Sequence, residues 1–359
     1  MPCWIAQRAV SGRTRPDGHS AVPIGEFDLI DRYFRPLGSL PGGRAVPARG
    51  RVVLGVGDDA ALLELPVGQL LVAALDSLVE GTHFLPGCDP ASVGHRALAV
   101  NLSDLAAMGA EPAWALLGLT LPAADEPFLA EFARGFGELA ARHAVSLVGG
   151  DTTSGPLAAS VQAMGFVPPG LALRRDGAAV GDLLFVSGTP GDSAAGLRLE
   201  MGEPGGLRVP SGAEAAARQL RNRFLFPTPR VELGLALRGL ASACIDVSDG
   251  LAVDAGKMAA ASGCGLRINV ESLPLSEALL AVAGEDRARD WCLAGGEDYE
   301  LCFSLPPGRL AELPDALERA GCPVRCIGVL EAEPGIRICL EGRENALPVT
   351  GWDHFRSAP

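Results

Sequence analysis

The chain has 359 residues, of which 48% are apolar and 20% charged, so it can bury a large core and is long enough for two domains. Its formal net charge of −13 disfavours nucleic acid and anionic membranes as partners. No apolar run reaches the roughly 18–20 residues of a membrane span, and no stretch has the layout of a signal peptide, which makes cytoplasmic the expected location.

Residues 1–23 are rich in Arg, Gly, Pro and Ser without a period and read as a disordered N-terminal extension. A short amphipathic helix is expected over 26–34, followed by a Gly/Pro/Arg loop over 38–50 and strands near 51–56 and 69–75. Apolar residues at Val93, Leu98, Leu102, Leu105 and Met108 have helical spacing and stop at Gly109, which predicts a helix over 90–109. A strand follows over 114–121. A helix over 125–143 carries Phe128, Leu129, Phe132, Phe136 and Leu139 on one face, and strands follow near 145–149 and 157–167. The run VPPGLALRRDGAAVGD (167–182) is a turn region and the natural boundary, which divides the chain into 24–168 and 169–359. The second part alternates again: strand 183–187, helix from 191, helix 229–240, strand 244–247, helix 250–261, strands 265–270 and 299–305, helix 308–320 and strand 324–330. The fold class is α/β, with no convincing internal repeat.

Aspartates recur in short apolar or glycine-flanked segments: Asp58 and Asp59 in GVGDDAA, Asp76 in AALDS, Asp104 in NLSDLAAMGA, Asp151 in GGDTT, and Asp246 and Asp249 in IDVSDG. Most follow runs that read as buried strands, where a carboxylate is costly unless something neutralises it. So many oxygen ligands together suggest a hard cation, with Mg²⁺ the leading choice. Each has a plain alternative: Asp58-Asp59 as a turn, Asp104 on a wet helix face, Asp249 as an N-cap. SGTPGDSAAGL (187–197) could present N–H groups to phosphate, or be only a tight strand-to-helix turn capped by Asp192. Lys257 is the sole lysine, and Leu251 and Met258 stand where a Walker A loop needs Gly and Ser/Thr, so a P-loop is excluded. The nine cysteines are odd in number and irregularly spaced, several within apolar strands, and read as reduced core residues, the CPVRC pair Cys322 and Cys326 included.

Taken in order, GEFDLIDRYF, VGDDAALL, ALDSLVEGTHFLPGCDP, ALAVNLSDLAAMGAEPAWALLGLTLP, LVGGDTT, VSGTPGDSAAGL, IDVSDGL, LAGGEDYELCF and WDHF resemble the thiamine-monophosphate kinase family, within an aminoimidazole ribonucleotide synthetase-like superfamily. The resemblance runs from Gly25 to Phe355 and implies a two-domain fold of α and β layers, whose N-terminal strands pair across a homodimer to close a β-barrel. It implies transfer of phosphate from ATP to thiamine monophosphate, with several Mg²⁺ ions and no catalytic side chain apart from the metal ligands. Carried over by position, the metal ligands would be Asp59, Asp76, Asp104, Asp151, Asp246 and Asp249. ATP would meet Gly150, Asp151, Arg175 and Ser248, and the thiamine phosphate would meet His83, Glu297 and Trp352. One departure stands out: Ala74 and Leu75 replace hydroxyl residues that the family often has before Asp76. Another ATP-dependent enzyme of the superfamily and a non-catalytic Mg-nucleotide binder are the alternative readings.

Overall fold

The structure, a computed structural model, describes residues 25–38, 50–202 and 207–346. The expected extension over 1–23 and Trp352 lie outside the described residues. The first ordered piece is α1 (Glu26–Leu29), which continues through a π turn to Phe34 and a 3₁₀ turn to Gly38. Strands β1 (Arg51–Leu54) and β2 (Leu62–Glu64) pair with each other. Then come β3 (Leu70–Val79), α2 (Pro90–Ala107), β4 (Glu111–Leu121), α3 (Glu126–Arg142), β5 (Ser146–Ser154) and β6 (Ala158–Val167). The last four strands form an open sheet in the order β3-β6-β4-β5, with β4 and β5 parallel. No closed barrel forms among the described residues of the chain.

The second half contributes β7 (Leu183–Ser187), α4 (Asp192–Met201), α5 (Glu214–Leu225), α6 (Val231–Leu237), β8 (Ala243–Val247), α7 (Leu251–Ala261) and β9 (Gly265–Asn269). It continues with α8 (Glu277–Ala283), α9 (Glu285–Ala294), β10 (Glu300–Leu305), α10 (Leu313–Ala320), β11 (Val324–Glu331), β12 (Ile336–Leu340) and β13 (Arg343–Ala346). Its seven strands run β13-β12-β9-β11-β7-β10-β8, antiparallel throughout except for β12 beside β9. One core cluster joins Leu98, Leu102 and Leu105 of α2 to Phe185, Leu301 and Phe303 of this sheet, while a second lies between the sheet's other face and α7. The two layered halves therefore share apolar packing.

Helix α2 is the centre of that packing. Asp89 caps it by accepting from the Ala91 N–H, Pro90 stands in its first turn, and Gly109 at φ +62° ends it. Every residue of α2 except Pro90 and Asp104 is buried. A helix covered on all sides needs neighbours that come very close, and glycines permit this. A Cβ on Gly94 would lie 2.1 Å from the Phe132 carbonyl oxygen of α3, and one on Gly135 of α3 would lie 1.9 Å from that of Ala91. On the opposite flank, a Cβ on Gly234 of α6 would sit 2.1 Å from the Ala106 carbonyl oxygen.

Some elements differ from expectation. Strand β3 runs on to Val79, so Asp76 lies inside a strand, opposite Val161, rather than at its end. Helices α5, α8 and α9 and strands β2 and β13 were not expected, whereas β12 coincides with the apolar IRICL segment around Cys339. Helix α5 buries only Ala217, Leu220 and Phe224, too thin a stripe to read, and β13 is exposed throughout. The eight described cysteines are all free, but Cys326 is exposed rather than core.

A buried charge cluster ties α5, α6, β7 and β10 together. Glu300 is fully buried and accepts from Arg230 Nε at 2.6 Å, Arg230 Nη2 at 2.5 Å, Arg223 Nη2 at 2.8 Å and the Ser187 hydroxyl at 2.5 Å. Burial alone would raise its pKa; the two guanidiniums win and hold it below the ordinary glutamate value. Glu300→Ala is expected to destabilise the protein by about 3–5 kcal/mol, because two arginines lose their buried partner. Since the folded pKa is depressed, the wild-type advantage is complete above the unfolded glutamate pKa and fades as pH falls through the lower folded value; paired denaturant titrations from pH 7 to pH 3 measure this. Gly94→Ala is expected to lower stability by about 1–3 kcal/mol or more, read as a fall in thermal midpoint, because the Phe132 backbone cannot yield as a side chain would.

Candidate functional site

Three carboxylates from three elements gather where α2 meets both sheets: Asp76 of β3, Asp104 of α2 and Asp246 of β8. The Asp76 N–H points away from β6 and donates to Asn101 Oδ1 of α2 at 3.0 Å, while Asn101 donates back to the Ala97 carbonyl. Ser103 Oγ donates to Asp246 Oδ2 at 2.9 Å. Two residues of the helix turn before Asp104 thus hold its neighbours. Burial, then the charges of Asp246 and Asp76, push Asp104 up to about 8, with the Arg175 charge opposing. Burial likewise pushes Asp246 up to about 7, opposed by the Ser103 bond and Arg175. The cluster is short of positive charge. Oxygen donors in that condition fit a hard cation. Among the described residues, however, no three acidic, histidine or cysteine side chains close into a finished ligand cage.

The other expected acidic residues stand around this centre. Asp58, Asp59 and Asp151 are exposed, so the expectation of buried carboxylates fails for them. Asp58 Oδ1 accepts from the Asp59 N–H at 2.8 Å, a turn-holding role that leaves the Asp59 side chain to solvent. Asp151 follows Gly150, whose φ of +155° and closeness to Leu117 (1.9 Å from a hypothetical Cβ to its carbonyl oxygen) exclude any side chain. Asp249 does not cap α7; Gly250 does. Instead Lys257 Nζ donates to Asp249 Oδ2 at 2.6 Å and to Asp254 Oδ1 at 2.8 Å, and Asp254 Oδ2 accepts from the Ser248 and Asp249 N–H groups at 2.9 Å each. The sole lysine therefore braces the DVSD loop.

The loop GGEDYE lies on the other flank. Glu297 and Tyr299 both have positive φ, +69° and +52°, conformations that cost non-glycine residues energy. Glu297 Oε2 accepts from Arg96 Nη2 of α2 and from the Tyr299 hydroxyl, the latter at 3.1 Å. Asp298 is fully buried and accepts from the Gly191 N–H at 2.7 Å and the Ser193 N–H at 3.2 Å at the start of α4. The protein's own carboxylate thus takes N–H groups of the 187–197 loop that a phosphate would need. Asp192 is the first residue of α4 rather than its cap, and accepts from Thr189 Oγ1 and Ser276 Oγ, each at 2.6 Å. His83 Nδ1 accepts from the Val79 N–H at 3.0 Å, which leaves the proton on Nε2. Arg175 is exposed, within electrostatic reach of Asp104 and Asp246.

Arg96, Asn101, Ser103, Asp254, Lys257 and Tyr299 were not singled out as site residues from sequence. The one signal available was polar residues inside the apolar stretch ALAVNLSDLAAM, where Asn101 and Ser103 flank Asp104. The partners of Arg96 and Asp298 lie 201 and 107 residues away or nearby in that range, beyond any local pattern.

Models for the N-terminal and C-terminal domains of AIR synthase related proteins match residues 57–167 and 179–340. The chain is 46% identical over 335 residues to the thiamine-monophosphate kinase of Salmonella typhimurium, covering 93% of this chain and 99% of that protein. Its structure resembles the crystal structure of thiamine-monophosphate kinase from Stenotrophomonas maltophilia, with a TM-score of 0.78, 45% identity, and coverage of 88% and 96% of the two chains. It also resembles AaThiL complexed with AMPPCP and TMP, with a TM-score of 0.71, 31% identity, and coverage of 94% and 100%. Two AIR synthase-like domains, matched along nearly the full length of such relatives, place this chain in the thiamine-monophosphate kinase family.

Proposed function

We propose that the chain catalyses ATP-dependent phosphorylation of thiamine monophosphate, giving ADP and thiamine diphosphate. The observation that carries the reading is the carboxylate centre at α2, β3 and β8, short of positive charge and flanked by an exposed arginine. The identity to kinases of this name, and the nucleotide analogue and TMP bound in AaThiL, support it. In the reaction a phosphate oxygen of thiamine monophosphate forms a bond to the γ-phosphorus of ATP, and the bond from that phosphorus to the bridging oxygen breaks, its electrons leaving with ADP. The attacking oxygen is already anionic near pH 7, so no general base is needed. The difficulty is holding two polyanions in line.

Asp59, Asp76, Asp104, Asp151, Asp246 and Asp249 are the residues proposed to hold Mg²⁺, which when bound screens the facing phosphates. The chain's own groups do the positioning. Asn101 and Ser103 fix the segments that carry Asp76 and Asp246. Arg175 is proposed to meet the nucleotide phosphates, with Gly150, Asp151 and Ser248 also at the nucleotide. His83, through its Nε2–H, and Glu297 are proposed to meet the thiamine phosphate, together with Trp352. Ala74 and Leu75 offer no hydroxyl to a cation, and Leu75 is 64% exposed.

That exposure is shared by other apolar residues of the N-terminal strands. Val53, Leu62, Leu70, Leu71 and Leu75 all lie exposed on β1, β2 and β3, and β3 is a sheet edge. An edge of this kind invites a second strand set, and a homodimer in which these strands close a β-barrel is the arrangement proposed. The division at 168/169 and a cytoplasmic location are part of the same reading; among the described residues no helix is long and apolar enough to cross a membrane.

Two outcomes test this. Purified protein with Mg-ATP and thiamine monophosphate is expected to form thiamine diphosphate, and Asp104→Asn to lower kcat by at least about a hundredfold while the protein stays folded. Binding of Mg-ATP without product in the wild type is the outcome that favours a non-catalytic nucleotide binder. Light scattering is expected to give twice the 37.0 kDa chain mass, falling to the monomer value in Leu71→Glu/Leu75→Glu. A wild-type monomer at working concentration removes the dimer.

A further inference from the structure

Arg96 is completely buried, and among the described residues its guanidinium has one hydrogen-bonded partner, Glu297. Its Cζ lies over the Phe224 ring, 4.5 Å from the centroid, and its Nε and Nη1 groups have no acceptor among the described residues. A buried cation so sparsely bonded lowers stability relative to an apolar side chain of the same length. Glu297 does not need it for folding, because its side chain is 27% exposed and can be hydrated. The pair is a cost that packing does not explain.

What the pair achieves is orientation. Glu297 sits at positive φ, its N–H donates to the Ser248 carbonyl at 2.8 Å, and Oε2 receives both Arg96 Nη2 and the Tyr299 hydroxyl. Gly296 cannot carry a side chain there, since a Cβ would lie 2.6 Å from the same Ser248 carbonyl oxygen. With Oε2 committed, Oε1 is the atom left for a ligand, and the adjacent guanidinium cancels the carboxylate's net charge.

We infer that Arg96 is a positioning residue for substrate recognition: with Tyr299 and Phe224 it presents Glu297 Oε1 as a directional acceptor for an N–H donor on the heteroaromatic part of the substrate. This rests on Glu297 meeting the thiamine phosphate, as proposed above. Recognition through this atom is by hydrogen bond, because the pair as a whole is neutral.

Steady-state kinetics of the full chain with Mg-ATP and thiamine monophosphate test it. Arg96→Met is expected to raise KM for thiamine monophosphate about tenfold and Tyr299→Phe about threefold, with kcat and the KM for ATP within about twofold of wild type. Arg96→Lys keeps the charge but loses the planar fork and the ring stacking, and is expected to fall between wild type and Met. Adding Arg96→Met to Glu297→Gln is expected to change KM less than twofold further, the non-additivity of residues acting as one unit. The thermal midpoint of Arg96→Met should stay within a few degrees of wild type; if that variant fails to fold, Arg96→Lys and Tyr299→Phe carry the test. An unchanged KM in the Arg96 and Tyr299 variants beside a raised one in Glu297→Gln overturns the inference alone. So does a lowered KM in Arg96→Met, which would mean that bare charge attracts the substrate. An unchanged KM in Glu297→Gln overturns the substrate role of Glu297, and the inference falls with it.

Discussion

The structure depends on burying one helix on every side. Helix α2 touches α3 and α6 through glycines and both sheets through leucines, so its backbone position leaves little slack. Protein interiors pack as densely as organic crystals, and a helix enclosed in this way cannot drift to suit a ligand. It is also the helix that carries Arg96, Asn101, Ser103 and Asp104. The polar groups of the site are therefore fixed by apolar packing, and Asp104 is one of only two α2 residues that escape full burial.

The charge balance follows from that enclosure. Carboxylates placed against a buried helix lose hydration, and burial with the nearby carboxylate charges raises the proton affinity of Asp104 and Asp246. Elsewhere the fold gives buried acids partners of its own: two arginines hold Glu300 below its ordinary value, while the first turn of α4 for Asp298 and the lone lysine for Asp254 offset burial only in part. At Asp104 and Asp246 the charge that opposes burial is that of the exposed Arg175.

Much of this was legible in the sequence, for identifiable reasons. The period of α2 and its stop at Gly109 are local, and an aspartate among alanines and leucines is unusual enough to single out Asp104. The order of the acidic motifs tied separate, ambiguous signals to one family. The rest lay in long-range pairing. Nothing near Asp298 says that it will fill the N–H groups after Gly191, and nothing near Lys257 says that it will reach back to Asp249. The length of β3 escaped because Asp76 interrupts an apolar run, yet ladder pairing with β6 carries the strand past it. Propensity yields to such pairing at a sheet edge.

One consequence concerns motion. Arg96 and Ser103 stand seven residues apart on α2, which puts them on one stripe of the helix and about 10.5 Å apart along its axis. Arg96 grips Glu297 and Ser103 grips Asp246, both in the second half of the chain. Swinging the halves apart would have to break a part-buried ion pair, a buried hydrogen bond and a shared core at once. Hinge opening is thus an expensive motion for this chain, and α2 acts as a fixed gauge that sets the spacing between Glu297 and Asp246.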